Sequence, residues 1–135
     1  RRGRPVSALI VGSAPLGQEA YERSLRDLTR ELGVADHVFF TGYRDDVPRL
    51  AQASDALVVT SRIEAQSRTV PQAFASRIPV VASRVGGVPE LVTPGETGWL
   101  VEAGDVAGYA DALLAIFDAP EEARRVTEIS PTARR

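Results

Sequence analysis

The 135-residue chain contains no cysteine and no methionine, and its 16 basic residues are all arginine. Without cysteine there is no disulfide framework, no thiolate zinc site and no cysteine nucleophile. Without lysine, Schiff-base chemistry and the phosphate-sensing lysine of a P-loop would have to be supplied from elsewhere. Histidine occurs once, at His37. Charge of either sign is scarce in excess: 16 basic against 18 acidic residues give a net charge of −2, so the broad positive field that nucleic acids require is missing. No apolar run approaches the roughly 18 residues of a membrane helix. The apolar stretch Val6 to Val11 follows basic residues, but it is short and no small-residue cleavage site follows it, which argues for a buried strand over a signal peptide.

Hydrophobic residues make up 44% of the chain and charged residues 25%, a composition that can bury a core. The length fits one domain of the usual size, about 150 residues. The opening Arg1-Arg2-Gly3-Arg4 in place of methionine suggests an excerpt of a longer protein, and residues 1–135 are taken as one domain of it.

Short apolar runs alternate with helical patterns. The runs are Val6 to Val11, Val38 to Phe40, Ala56 to Thr60, Pro79 to Ala82 and Trp99 to Val101. Between the first two, Tyr21, Leu25, Leu28 and Leu32 recur at helical spacing, and Gly33 terminates that helix. Asp45 or Asp46 is placed to cap a short helix through Ala53, with Pro48 in its first turn. A further helix starts near Thr69 and ends before Pro79. Gly104-Asp105 opens the last clear one, with Val106, Tyr109, Leu113 and Phe117 on one face. The polar segment from Glu121 to Arg135 is expected to fray at its end. Strands apolar on both faces and alternating with helices predict an α/β fold, a Rossmann-like parallel sheet with helices on both faces.

Open parallel sheets bind ligands beyond the carboxyl ends of their strands. Those ends are small and polar here: Gly12-Ser13, Thr41-Gly42, Ser61 to Glu64, and Ser83 to Gly87. Small residues permit close backbone approach, and helices beginning there offer free amides to an anion, so a phosphate-bearing ligand fits. Each turn taken alone would be explained by chain reversal; their recurrence favours a common ligand edge. The dinucleotide fingerprint and the P-loop are both excluded, because Gly12 and Gly17 lack the spacing and no Gly-Lys-Ser or Gly-Lys-Thr exists. A receiver domain is a weak rival, since Asp45-Asp46 reads as a helix cap and no lysine completes the acidic site.

The ordered set Leu9 to Ser13, Phe39 to Gly42, Ala53 to Ala56, Thr60 to Ala75, Pro79 to Glu90 and Gly95 to Val101 resembles the C-terminal, donor-binding domain of retaining GT-B glycosyltransferases, the glycosyl transferases group 1 family. The family's signature is an acidic residue followed by a second one eight positions later; Glu64 and Gln72 stand there. The resemblance implies that Glu64, as the catalytic carboxylate, and the amides of Ala65, Gln66, Ser67 and Arg68 hold the donor sugar. It implies that Gln72 reaches the ribose hydroxyls, where an amide can still hydrogen-bond a diol without carboxylate strength. Ala65-Gln66-Ser67 replaces the commoner Gly-Phe-Gly. Thr69 and Val70 sit where amides contact the diphosphate, Gly12 and Ser13 line the first turn, and Gly42 and Tyr43 match the nucleobase position. Tyr43 either stacks on the base or covers the core. Arg62, Arg68 and Arg84 lie near the ligand edge as candidate phosphate partners, and Gly86-Gly87 as shapers of the phosphate pocket.

The implied chemistry is transfer of a sugar from a nucleotide-diphospho-sugar to a hydroxyl acceptor with retained configuration, helped by amides and arginines at the leaving group. No Asp-X-Asp or histidine cluster is present, so no metal and no cofactor is expected. The resemblance also places the acceptor domain and the usual diphosphate-binding Arg and Lys upstream of the excerpt, so this piece alone is expected to be inactive. Acceptors of the family include lipid-linked and saccharide hydroxyls. Cytoplasmic residence is expected, with membrane attachment left to the missing domain. A sugar-nucleotide epimerase of the same architecture and a non-catalytic nucleotide-binding or interaction module are the alternatives.

Overall fold

The computed structural model describes residues 5–128. In chain order the elements are β1 (Ala8–Val11), α1 (Glu19–Glu31), a 3-10 turn at Ala35–His37, β2 (Val38–Gly42), α2 (Val47–Gln52), β3 (Leu57–Val59), α3 (Thr69–Ala75), β4 (Val80–Ser83), α4 (Val88–Leu91), β5 (Trp99–Val101), α5 (Val106–Asp118) and α6 (Pro120–Glu128). They fall into two units, Arg1–Val47 and Pro48–Arg135. Every strand pairing is parallel, as the sequence predicts, and the strands form two ladders, β1-β2 and β3-β4-β5. The expected fraying of the tail falls on residues 129–135, outside the described residues.

In the first unit, Ala8 lies opposite Val38 and Ile10 opposite Phe40, after which the register shifts and Val11 pairs with Gly42. Helix α1 ends as its glycine predicts: Gly33 adopts φ +68°, its amide donates to the Arg30 carbonyl, and the Val34 amide reaches back to Thr29. The Arg26 guanidinium bonds Glu22 at 2.8 Å and lies 4.2 Å from the Phe40 ring centre. Strand β1 was expected to be covered on both faces, but all four of its residues are exposed, Leu9 at 46%. A ladder of two strands offers too little area to bury both faces of either.

The second unit holds the core. All of β4 is buried, and its side chains alternate as strand geometry requires: Val80 and Ala82 join Val59, Val70, Ala73, Phe74, Ile78 and Val88, whereas Val81 joins Val101, Ala112, Ile116 and Ala123. Helices α2, α3 and α4 therefore serve one face of β4 and α5 and α6 the other, which accounts for the run's being apolar throughout. On α5 the buried stripe is Ala112 and Ile116, flanked by Tyr109, Leu113 and Phe117. Val106, read from its spacing as part of that face, is 80% exposed. Position 106 is the first residue of the helix, and its apolar side chain is left to solvent although Gly108, two residues on, already lies against Val101 of β5. Helix α6 lies beyond the last helix that the pattern indicates; it turns Ala123 into the core.

Candidate functional site

The ladder between β3 and β4 ends at Val59 and Ala82. Beyond it the two chains diverge into the segments Thr60 to Arg68 and Arg84 to Gly87, and these meet again. Gly86 has φ +50°, and a Cβ built on it would fall 1.5 Å from the Glu64 carbonyl oxygen; one on Gly87 would fall 3.0 Å from the Ala65 carbonyl oxygen. Backbone thus lies directly on backbone, with no room for a side chain between. Glycine is required at position 86 by this approach and fits closely at 87, and together they back the Glu64 segment.

Glu64 is half-buried there, and Ala65, Gln66 and Arg68 are exposed. Ser67 is only 3% exposed, and its hydroxyl oxygen accepts the Val70 amide at 3.3 Å, capping the first turn of α3. The sequence reading assigns the amides of both Ser67 and Val70 to the ligand; in this structure the Val70 amide is held by the Ser67 hydroxyl, a bond in which the Ser67 amide has no part. Pro71 has no amide to donate. Of the first-turn amides of α3 that have no intrahelical acceptor by position, those of Arg68 and Thr69 remain. Gln72 is exposed on the same turn.

The arginines divide. Arg84 pairs with Glu102 at 2.9 Å, and its amide donates to the Val101 carbonyl, so it is tied to β5. Arg62 and Arg68 are exposed. At the strand ends themselves, the Ser83 hydroxyl lies 2.6 Å from the Tyr109 hydroxyl, and both oxygens lie within reach of the Val59 carbonyl, at 3.2 and 3.1 Å. Nothing in the spacing of Ser83 and Tyr109 signals this meeting, because α5 brings them together across the sheet.

In the first unit the predicted residues at the strand ends do converge. The Gly12 amide donates to the Gly42 carbonyl at 2.9 Å; Gly12 has φ +124° and Gly42 φ +68°, and the Ser13 hydroxyl lies 3.8 Å from where a Gly42 Cβ would stand. Tyr43 is 83% exposed and does not cover the core, which leaves its ring face open. Next to it, Arg44 bonds both carboxylate oxygens of Asp46, at 2.8 and 2.7 Å. That guanidinium holds the Asp46 carboxyl below the usual carboxylate range and raises Arg44 in turn. Asp46 precedes α2, where a cap was expected, but its carboxylate is engaged by Arg44. Glu22 is lowered by Arg26 in the same way, with help from the Ala14 amide. His37 lies at the start of β2, the end of the strand opposite Gly42.

Among the described residues no group of three His, Asp or Glu side chains is arranged to hold a metal ion, and no helix is long and apolar enough to cross a membrane. A groove of about 430 Å³ runs along β5 and α5, lined by Trp99, Glu102, Asp105 and Ala112 among others, and includes none of the sequence-predicted site residues.

Comparison with known proteins matches residues 1–119 to the family model of glycosyl transferases group 1. The N-acetyl-alpha-D-glucosaminyl L-malate synthase of Bacillus anthracis is 33% identical over 120 residues, which is 89% of this chain and 30% of that protein. A D-inositol 3-phosphate glycosyltransferase of Corynebacterium diphtheriae is 39% identical over 112 residues, 82% of this chain and 26% of that one. The structure of Anabaena Alr3699/HepE in complex with UDP-glucose superposes with a TM-score of 0.91 at 29% identity, covering 96% of this chain and 35% of that chain. The chain thus spans about 30% of the length of these relatives.

Proposed function

This chain belongs to the glycosyl transferases group 1 family, and from that premise we propose that it is the donor-holding half of a GT-B glycosyltransferase that moves a sugar from a nucleotide-diphospho-sugar to a hydroxyl with retained configuration. The observation that carries the reading is the likeness, over 96% of the chain, to a protein solved with UDP-glucose.

In this reading Tyr43 of the first unit is assigned to the nucleobase, as an exposed ring able to stack, and Gln72 of the second to the ribose hydroxyls, as an amide able to bond a diol. Glu64 accepts hydroxyl protons of the sugar in hydrogen bonds, aimed by the Gly86–Gly87 support. The acceptor oxygen bonds to the anomeric carbon, the bond from that carbon to the diphosphate oxygen breaks, and the acceptor's proton leaves with the nucleoside diphosphate. The diphosphate gains charge as that bond breaks. The Arg68 and Thr69 amides and the Arg62 and Arg68 guanidinium groups are the donors placed to meet it, and no metal is assigned a part. Nucleotide-sugar donors place this chemistry in the cytoplasm, and the acceptor, lipid-linked or saccharide, is assigned to sequence outside this chain.

The test is a binding panel of UDP, GDP, ADP and CMP followed by thermal shift, with Glu64→Ala and Gln72→Ala as controls, and an assay of the full-length protein for released nucleoside diphosphate. One nucleotide should stabilise the wild type, and Gln72→Ala should weaken it by roughly 3- to 30-fold, the loss of one or two hydrogen bonds. Glu64→Ala should abolish sugar release while nucleotide still binds. Binding unchanged by both substitutions would refute the site. Interconversion of sugar nucleotides without release would identify an epimerase, and binding without turnover a non-catalytic module. Activity that survives EDTA is expected; its loss would assign a metal to the leaving group.

A further inference from the structure

We propose that Tyr109, through its hydroxyl contact with Ser83, positions the loop that carries Glu64; the catalytic consequence rests on the donor-site reading above, whereas the positioning itself does not. Ser83 is the last residue of β4, fully buried, and Val59 is the last residue of β3. Ser83 still pairs with Val101 of β5, but the ladder to β3 has stopped at Ala82. At that parting the triangle of Ser83 Oγ, Tyr109 Oη and the Val59 carbonyl oxygen, with edges of 2.6, 3.1 and 3.2 Å, replaces the ladder.

From the two sides of this triangle depart the two segments that meet again at Gly86 and Glu64. Glu64 follows Val59 by five positions, and Gly86 follows Ser83 by three. The result is a closed frame, tied at its base by hydroxyls and at its top by backbone contact. Two hydroxyl protons serve three oxygen contacts, so removing one hydroxyl leaves a single proton for the Val59 carbonyl. Buried polar networks of this kind fix one arrangement among several that apolar packing would accept. The Tyr109 ring packs with the α5 face of the core, so Tyr109→Phe keeps that packing and removes two of the three contacts of the tie, leaving the Ser83–Val59 bond alone to hold it. Tyr109 is far along the chain from the loop and acts on it through Ser83; it is a positioning residue.

The experiment uses the full-length protein with Tyr109→Phe, Ser83→Ala and the double variant, read by hydrogen exchange and by steady-state kinetics on the sugar donor of the nucleotide that the panel selects. Tyr109→Phe should speed amide exchange in residues 60–67 and 84–87 by about 10-fold with α5 unchanged, the signature of local rather than global opening. It should lower kcat by about 5- to 20-fold and leave the donor KM within about twofold, because a displaced carboxylate costs more in the transition state than in binding. The double variant, which leaves the Val59 carbonyl with neither hydroxyl, should be more impaired than either single one, by an amount that differs from the sum of the two. Exchange unchanged in those segments, or accelerated evenly through the second unit, overturns the proposal. Loop-confined acceleration with unaltered kcat overturns its catalytic part. Loop-confined acceleration in a protein that releases no nucleoside diphosphate from any donor supports the positioning and refutes the transferase reading.

Discussion

Gly86 and Glu64, 22 positions apart in sequence, are in direct backbone contact, closer than any side chain at 86 would permit. The carboxylate's height above the sheet is therefore set by a residue with no functional group. A glycine here is doubly determined, by the space and by its φ of +50°.

Gly86→Ala must move the Glu64 backbone. We expect a loss of about 1–3 kcal/mol of stability, the scale of a strained backbone position, measured by urea titration, and a fall in sugar transfer larger than the fall in nucleotide affinity. An alanine variant with wild-type turnover would separate Glu64 from the chemistry.

Helix α3 ends in a Schellman turn in which Arg77 holds the left-handed position, φ +55°, normally given to glycine; its amide donates to Phe74 and that of Ile78 to Ala73. Arg77→Gly should raise stability by about 0.5–1 kcal/mol without touching the hydrogen bonds, seen as a higher urea midpoint at constant m.

Asp105 caps α5, one carboxylate oxygen accepting the Gly108 amide at 3.0 Å. Asp105→Ala should cost about 1 kcal/mol, and Asp105→Asn much less, since the amide oxygen accepts equally well.

The carboxyl of Asp46 titrates low because Arg44 bonds it. A depressed pKa in the folded state means that its stabilisation is present at pH above the unfolded value, near 3.9, and is lost as pH falls through the folded value. Both groups are exposed, so the effect on stability is slight. The direct measurement is a carboxyl titration followed by NMR: Arg44→Gln should return Asp46 toward the ordinary range and leave neutral-pH stability nearly unchanged.

Helix α1 was readable because its stop signal and its spacing are local, Gly33 setting the end, although Tyr21, Leu28 and Leu32 of the expected apolar face are exposed. The face of α5 was misphased at Val106 because periodicity counts large apolar residues, while the strip that packs is Ala112 and Ile116, the former too small to register as a core residue. Helix α6 is not marked by its pattern, since Ala123 is the one buried side chain among its described ones and stands among charges. At the candidate site, the residue types were legible as a family pattern, but the bond from the Val70 amide to the Ser67 hydroxyl was not, because a free amide at a helix start reads equally as a ligand contact. The Glu64–Gly86 contact and the Ser83–Tyr109 bond join segments distant in sequence, and only the folded chain brings them together.

Proline at position 71 and the serine-held amide of Val70 together strip α3 of half the neutral donors that a helix start usually offers. A dianionic group seated there would lean on mobile guanidinium groups in place of fixed dipoles, and its hold would weaken as ionic strength rises. Potassium chloride, added in steps to a nucleotide titration, reads that balance directly.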